Sequence, residues 1–305
     1  MTEIHADDYA LTVKTSKDIL ELMKEGILDG ISIVPNMSCY KECMDLLLSA
    51  VPDLPFLPVM SVHLDLVEGL RLSENDGSVT GSTWKSLFLS SLNVFNRRAE
   101  KEKLKKEIDA QIKRGWDSIC LCIQTAKENG IDCAQQKLRI DSHQHTHMIP
   151  IVWSALTQCL RENGYETEYI RNSKEPLQPF IRARFLWKSY SLINIVKNRI
   201  LYLFSSAPDR YCKKEGKKPM YLWGLIMSGK MDAKRVKKLY RAMVNYAQKD
   251  GRDLEILFHP GRMGEHEVNS QIPIRSAESF YLSTNRDMEK AGARKCRMIC
   301  TEKFS

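Results

Sequence analysis

Six of the seven histidines fall in four short clusters: His5-Ala6-Asp7-Asp8, His63-Leu64-Asp65-Leu66, Asp141-Ser142-His143-Gln144-His145-Thr146-His147 and His259-Pro260-Gly261. Each follows a short apolar run, and such a run with turn residues behind it reads as a buried strand. The pattern therefore sets imidazoles and carboxylates at strand ends, where a parallel α/β scaffold aims side chains from distant stretches at one point. Imidazole with carboxylate is the donor set of a borderline divalent cation. A chain built this way has to fold so that the separated strand ends meet. Only His266 stands outside the clusters.

Apolar runs alternate with helical patterns along most of the length. Strands are expected at Glu3 to Asp7, Ile31 to Val34, Val59 to His63, Lys137 to Asp141, Thr167 to Arg171 and Glu255 to Phe258. The first helix is expected to start at Thr15 or Ser16 and to stop at Gly26, and two more to run from about Arg97 through Arg114 and from Ser118 to Asn129. This alternation argues for α/β architecture, a distorted (β/α) barrel of mainly parallel strands with surrounding helices. Barrels of this kind commonly form one unit at such a length, so residues 1–305 are expected to make a single domain.

No uncharged apolar run is long enough to cross a bilayer, and the amino terminus lacks the basic and apolar regions of a secretory signal, so a cytoplasmic location is expected. Nine scattered cysteines form no C-x-x-C pair, which points to reduced thiols. The net charge of +8 is concentrated rather than spread: between Arg182 and Lys218 lie ten cations against only Asp209 and Glu215. No nucleic-acid module accompanies them, and nucleic acid is not expected as a partner. Phe185 to Phe204 is apolar and aromatic but carries Lys188, Lys197 and Arg199, so it reads as amphipathic. We read about 174–218 as an elaboration over the mouth of the fold, a lid or an oligomer contact.

Asp7 and Asp8 lie too far ahead of the first helix to cap it, and adjacent residues at a strand end point in different directions. One can ligate a metal while its neighbour accepts a proton. His63 alone would be an ordinary core histidine, and it gains weight from its company. Three alternating imidazoles in a strand-to-loop segment have little reason to occur for packing. On an extended backbone His143, His145 and His147 would face one side; if the chain turns after His143, only that residue need ligate, while His145 and His147 orient ligands or touch substrate and Asp141 accepts from a ligand. His259 is equally consistent with an incidental Pro-Gly turn.

In this order the clusters resemble the YdjC-like family of carbohydrate deacetylases, over most of the chain. The family's Asn-Ala-Asp-Asp-Phe-Gly is similar to His5-Ala6-Asp7-Asp8-Tyr9-Ala10, with His5 and Ala10 standing where the family usually has asparagine and glycine. Its strand-end asparagine is similar to Asn36, its His-Phe/Leu-x-Leu to His63 to Leu66, its Asp-Ser-His-His/Gln-His-x-His to Asp141 to His147, and its His-Pro-Gly/Ala to His259 to Gly261. The resemblance implies hydrolysis of N-acetyl groups on a sugar or oligosaccharide. It also implies one divalent metal ion (zinc, magnesium or another transition metal) on Asp8, His63 and His143, with Asp7 as general base and His259 as general acid. Asn36, Asp141, His145, His147 and Arg171 are expected around them, orienting ligands or contacting substrate, and a homodimer is consistent with the family. Two other readings stay open: a two-metal amidohydrolase or phosphoesterase using His143, His145 and His147, and a non-catalytic glycan-binding protein.

Overall fold

The computed structural model describes residues 1–74, 76–93, 95–264, 267 and 282–302; His266 lies outside them. In chain order the elements are β1 (Thr2–Tyr9), α1 (Val13–Lys24), β2 (Gly30–Ile33), α2 (Tyr40–Ala50), β3 (Val59–Leu64), α3 (Trp84–Leu92), α4 (Arg97–Glu128), β4 (Leu138–Ser142), α5 (Pro150–Glu162), β5 (Thr167–Ile170), α6 (Gln178–Arg182), α7 (Leu192–Phe204), α8 (Ser206–Lys214), β6 (Met220–Trp223), α9 (Ala233–Lys249), β7 (Asp253–Phe258) and α10 (Asn285–Thr301). The strands form one sheet in the order β5-β4-β3-β2-β1-β7-β6, and every pairing is parallel. Parallel neighbours need crossovers, which the helices provide.

The sheet is curled. Laid flat, β5 and β7 would stand about 24 Å apart, five strand spacings. Yet Tyr169 Oη donates to Glu255 Oε2 at 2.8 Å and Arg171 Nε to Glu255 Oε1 at 2.7 Å. The amide of Leu222 in β6 even reaches the carbonyl of Lys174, just beyond β5 (3.0 Å). The expected distorted barrel is thus what the strands build.

Alternation along each strand sorts the side chains. Ile4, Ile31, Val62, Ile140 and Ile256 belong to the apolar core shared with the helices. The opposite positions point into the barrel and are polar: Glu3, His5 and Asp7 from β1, Ser32 from β2, His63 from β3, Arg139 and Asp141 from β4, Tyr169 from β5 and Glu255 from β7, all buried. Buried charges persist only when paired. Arg139 Nη2 donates to both oxygens of Glu3 (2.6 and 2.9 Å), and His5 lies 2.9 Å from Glu3 and 2.7 Å from Ser32 Oγ. Gly30 makes room for that imidazole, because a Cβ there would lie 2.4 Å from His5 Nδ1.

Burial raises the pKa of Glu3, but Arg139 and His5 outweigh it and hold the carboxyl at about 2. Its folded pKa lies below the unfolded value of 4.5, so its stabilisation is complete above that value and is lost as pH falls towards 2. The urea midpoint is expected to hold from neutral pH to about 5 and then to drop steeply. A midpoint constant down to about pH 3 contradicts this pairing.

Several elements depart from the expectations. α1 begins at Val13, capped by the Thr12 side chain on Thr15 N, rather than at Thr15 or Ser16. The two helices expected either side of Gly115 are one, α4, 32 residues long. A Cβ at Gly115 would meet Val62 Cγ2 at 2.9 Å, so the glycine lets α4 lie close on β3 instead of ending it. β6 was not expected, and His5 stands mid-strand rather than at a strand end.

Candidate metal centre

The Asp pair is shaped by its backbone. The register of β1 against β2 slips between Ala6 and Tyr9, and Asp8 sits at φ 73°. A bulge re-aims neighbouring side chains, so Asp7 turns into the barrel while Asp8 meets the imidazoles. Ala10 follows at φ 67°, the left-handed region that explains the family's usual glycine there.

His63 comes from the end of β3, and His143 from the turn that closes β4. Asp8 Oδ1 lies 3.3 Å from His143 Nδ1 and 3.8 Å from His63 Nε2, and the ligand atoms of the three residues lie within 4.8 Å of one another. Edges of a tetrahedral site with metal–donor bonds near 2.0–2.1 Å measure about 3.4 Å. The donor set and spacing therefore fit one divalent cation. Each donor is held from behind. His63 Nδ1 donates to Asp141 Oδ1 (2.6 Å), which leaves Nε2 facing the centre; Arg286 Nη1 binds Asp8 Oδ2 (3.0 Å); and Glu68 Oε2 lies 4.0 Å from His143 Nε2.

Electrostatics favour a cation here. Burial works against charging His143, but Asp65 and Asp8 outweigh it and push the imidazole up to about 10. His63 is likewise raised, with Asp7 and Asp141 overcoming burial. Burial also opposes ionisation of Asp8, yet Arg286 and then His143 hold it well below the usual carboxylate range. Metal ligation requires neutral imidazoles, so binding has to release protons.

Beside this cluster stands a second carboxylate. Asp7 is gripped at both oxygens by Arg171 (Nη1 to Oδ2 2.8 Å, Nη2 to Oδ1 2.9 Å), and the same guanidinium meets Asp141 and Glu255. Burial would raise the Asp7 pKa, but Arg171 and then His63 push it far down. His259 Nε2 lies 4.0 Å from Asp7 Oδ2. Burial pulls this imidazole down to about 4 against the pull of Asp8 and Asp7, so it rests neutral near pH 7.

The remaining expected residues are placed as supports. The chain turns at once after His143, with Gln144 and His145 at φ 52° and 59°, so the three imidazoles do not share a face. His147 has both ring nitrogens engaged, by Ser142 Oγ (2.6 Å) and the Arg171 carbonyl (2.8 Å), and His145 Nδ1 meets Ser173 Oγ (2.9 Å). Among the described residues neither joins a group of side chains placed to hold a metal ion. Asn36 Nδ2 donates to the carbonyls of Asp65, Glu68 and Leu70 and clamps the loop after β3.

Reading the sequence missed Glu68, Arg286, Glu289 and Lys197. Glu68 follows the third strand's cluster by two residues and had a signal of sorts in Asp65-Leu-Val-Glu68; Asp65 and Glu68 also form an acidic group with His143. Arg286 and Glu289 come from α10, and Glu289 Oε2 accepts from the His259 amide at 2.6 Å. Lys197 lies on α7, near enough for its charge to bear on His145.

Fold and cluster together define an α/β-barrel protein with a buried carboxylate–imidazole centre at the carboxyl ends of its strands. The chain belongs to the family described as YdjC-like protein, which matches residues 3–119 and 136–295. Over 113 residues it is 29% identical to a carbohydrate deacetylase of Thermoanaerobacter pseudethanolicus, a match that takes in 37% of this chain and 43% of that protein. The chain thus aligns with less than half the length of that relative. A solved structure, titled as a candidate cellobiose-phosphate cleavage protein of Enterococcus faecalis, superposes with a TM-score of 0.52 at 16% identity, over 99% of this chain and 94% of that one. That likeness concerns the fold.

Proposed function

We propose that this protein is a hydrolase that removes N-acetyl groups from an amino sugar or oligosaccharide, with one divalent cation held by Asp8, His63 and His143. The observation that carries the reading is the juxtaposition, at one barrel mouth, of three residues that could hold a cation with a carboxylate and an imidazole 4.0 Å apart. Family membership and the name of the Thermoanaerobacter relative support the substrate class.

The cation supplies Lewis acidity, polarising a carbonyl and making water more acidic. The chain's own residues handle the proton. Asp7, aimed by Arg171, takes it from the attacking water and passes it to His259, which rests neutral and can receive it. His259 then gives it to the departing nitrogen. One proton leaves water and one reaches the amine, the carbon–nitrogen bond breaks, and the products are a free amino sugar and acetic acid, which gives up its remaining proton to solvent as acetate. Asp141 fixes His63, while His145 and His147 fix the loop that presents His143. Asn36 fixes the loop after β3 that carries Asp65 and Glu68.

The test is acetate release from a panel of N-acetylated oligosaccharides, before and after chelation. Acetate should appear, cease on chelation and return with added zinc, cobalt, nickel or manganese. Removal of a cation present at a thousandfold its Kd should also cost about 4 kcal/mol of stability, visible as a lower melting temperature. Sugar binding without acetate from any member of the panel overturns the reading in favour of a glycan-binding protein.

A further inference from the structure

We propose that α7 and its flanks form a docking face for an anionic lipid surface, and that the sugar is presented to the site from a lipid. The second half rests on the deacetylase reading; the first does not. Along α7 the side chains of Leu192, Ile193 and Leu203 are 76%, 78% and 75% exposed, and Phe185 just ahead is 62% exposed. Large apolar side chains gathered on one surface mark a site of interaction. Next to them lies an apolar groove of about 380 Å³ whose lining includes Phe180, Trp187, Leu192 and Ile226. The patch continues onto α3, whose Phe88 ring lies tilted 6.1 Å from that of Phe204 and which carries exposed Leu89 and Leu92.

This face belongs to the site mouth. Leu201, on the inner side of α7, packs with Met148 at the end of the histidine loop. Asn198 Nδ2 binds Glu175, whose carboxylate in turn holds the amides of Gly224, Leu225 and Ile226 after β6 (2.7–3.1 Å). Whatever covers α7 therefore stands beside the centre.

Charge selects the occupant. Arg182, Arg184 and Lys188 flank Phe185 in the chain and Arg199 lies on α7, all of them exposed, and α8 adds exposed Arg210, Lys213 and Lys214. Of the two acids in that stretch, Asp209 is already engaged by Lys174 (2.7 Å) and Arg252 (2.8 Å). A second copy docked face to face about a two-fold axis would bring these cations against themselves. An anionic bilayer answers both features, because apolar side chains enter the headgroup boundary while lysine and arginine meet lipid phosphates.

The test is co-sedimentation of the full chain with vesicles of phosphatidylcholine alone or mixed with phosphatidylglycerol. Binding is expected to the anionic vesicles only, to weaken with salt, and to fall roughly thirtyfold when Arg184→Gln and Lys188→Gln are combined. Ile193→Glu should abolish it with an unchanged melting temperature. No binding to either vesicle overturns the docking face, as does a dimer in sedimentation velocity that Ile193→Glu dissociates. Acetate should then be released faster from an N-acetylated glycolipid in anionic vesicles than from its free headgroup sugar; equal rates overturn the lipid-borne substrate. Docking with acetate from neither sugar supports the docking face and overturns the deacetylase reading instead.

Discussion

Asp7→Asn is expected to lower turnover by roughly 10²- to 10⁴-fold while leaving the metal content of the protein at one ion per chain. The asparagine keeps the size of the aspartate but cannot take a proton from water. It stands outside the donor triad, whose atoms come from Asp8, His63 and His143. Its side-chain amide will fit the guanidinium of Arg171 less well, because one of the two carboxylate oxygens now contacting it becomes an NH2 group. The informative pair of measurements is therefore kcat beside elemental analysis of the same preparation. A variant that turns over like the parent removes Asp7 from the proton path, and one that loses both activity and metal makes Asp7 a structural prop of the centre.

Arg171→Met is expected to cost at least about 3–5 kcal/mol of folding stability, the toll of leaving buried charge without its partner. The guanidinium is fully buried and touches Asp7, Asp141 and Glu255 at 2.5–2.9 Å. Removing it leaves three carboxylates in a barrel interior where Arg139 already serves Glu3. Lysine would be a poor substitute, since a single ammonium cannot reproduce the planar fork that spans several acceptors. Because Glu255 is the acid on β7 that Arg171 ties to β5, combining Arg171→Met with Glu255→Gln should recover part of the loss. Denaturant midpoints decide this, and a single variant within about 1 kcal/mol of the parent contradicts the network as the reason Arg171 is buried.

The strand ends were legible because their chemistry is local. An imidazole directly behind an apolar run is visible without knowing where the run goes, and the structure does bring Asp8, His63 and His143 together. What lay beyond reach depends on tertiary context. Lys137-Leu-Arg-Ile-Asp141 alternates as a half-solvated strand would, and Lys137 is exposed, but Arg139 and Asp141 face a barrel interior lined with opposite charges rather than water. β6 is only four residues long and directly follows the basic stretch, too short a run to stand out as a strand. Gly115 looks like a helix break and is a packing contact. Arg286 and Glu289 sit in an ordinary-looking amphipathic helix more than 270 residues from Asp8, and only the fold shows that they brace the centre. The triple histidine segment left two courses open, and the left-handed turn at Gln144 and His145 that decides between them cannot be seen in residue types.

The most direct test is anomalous diffraction from crystals of the protein loaded with zinc, recorded on both sides of the absorption edge. One strong peak per chain is expected, bounded by Asp8, His63 and His143, with Asp7 and His259 beside it but not bonded to it. A map with no peak there, or with the ion seated instead between Asp65 and Glu68, contradicts it.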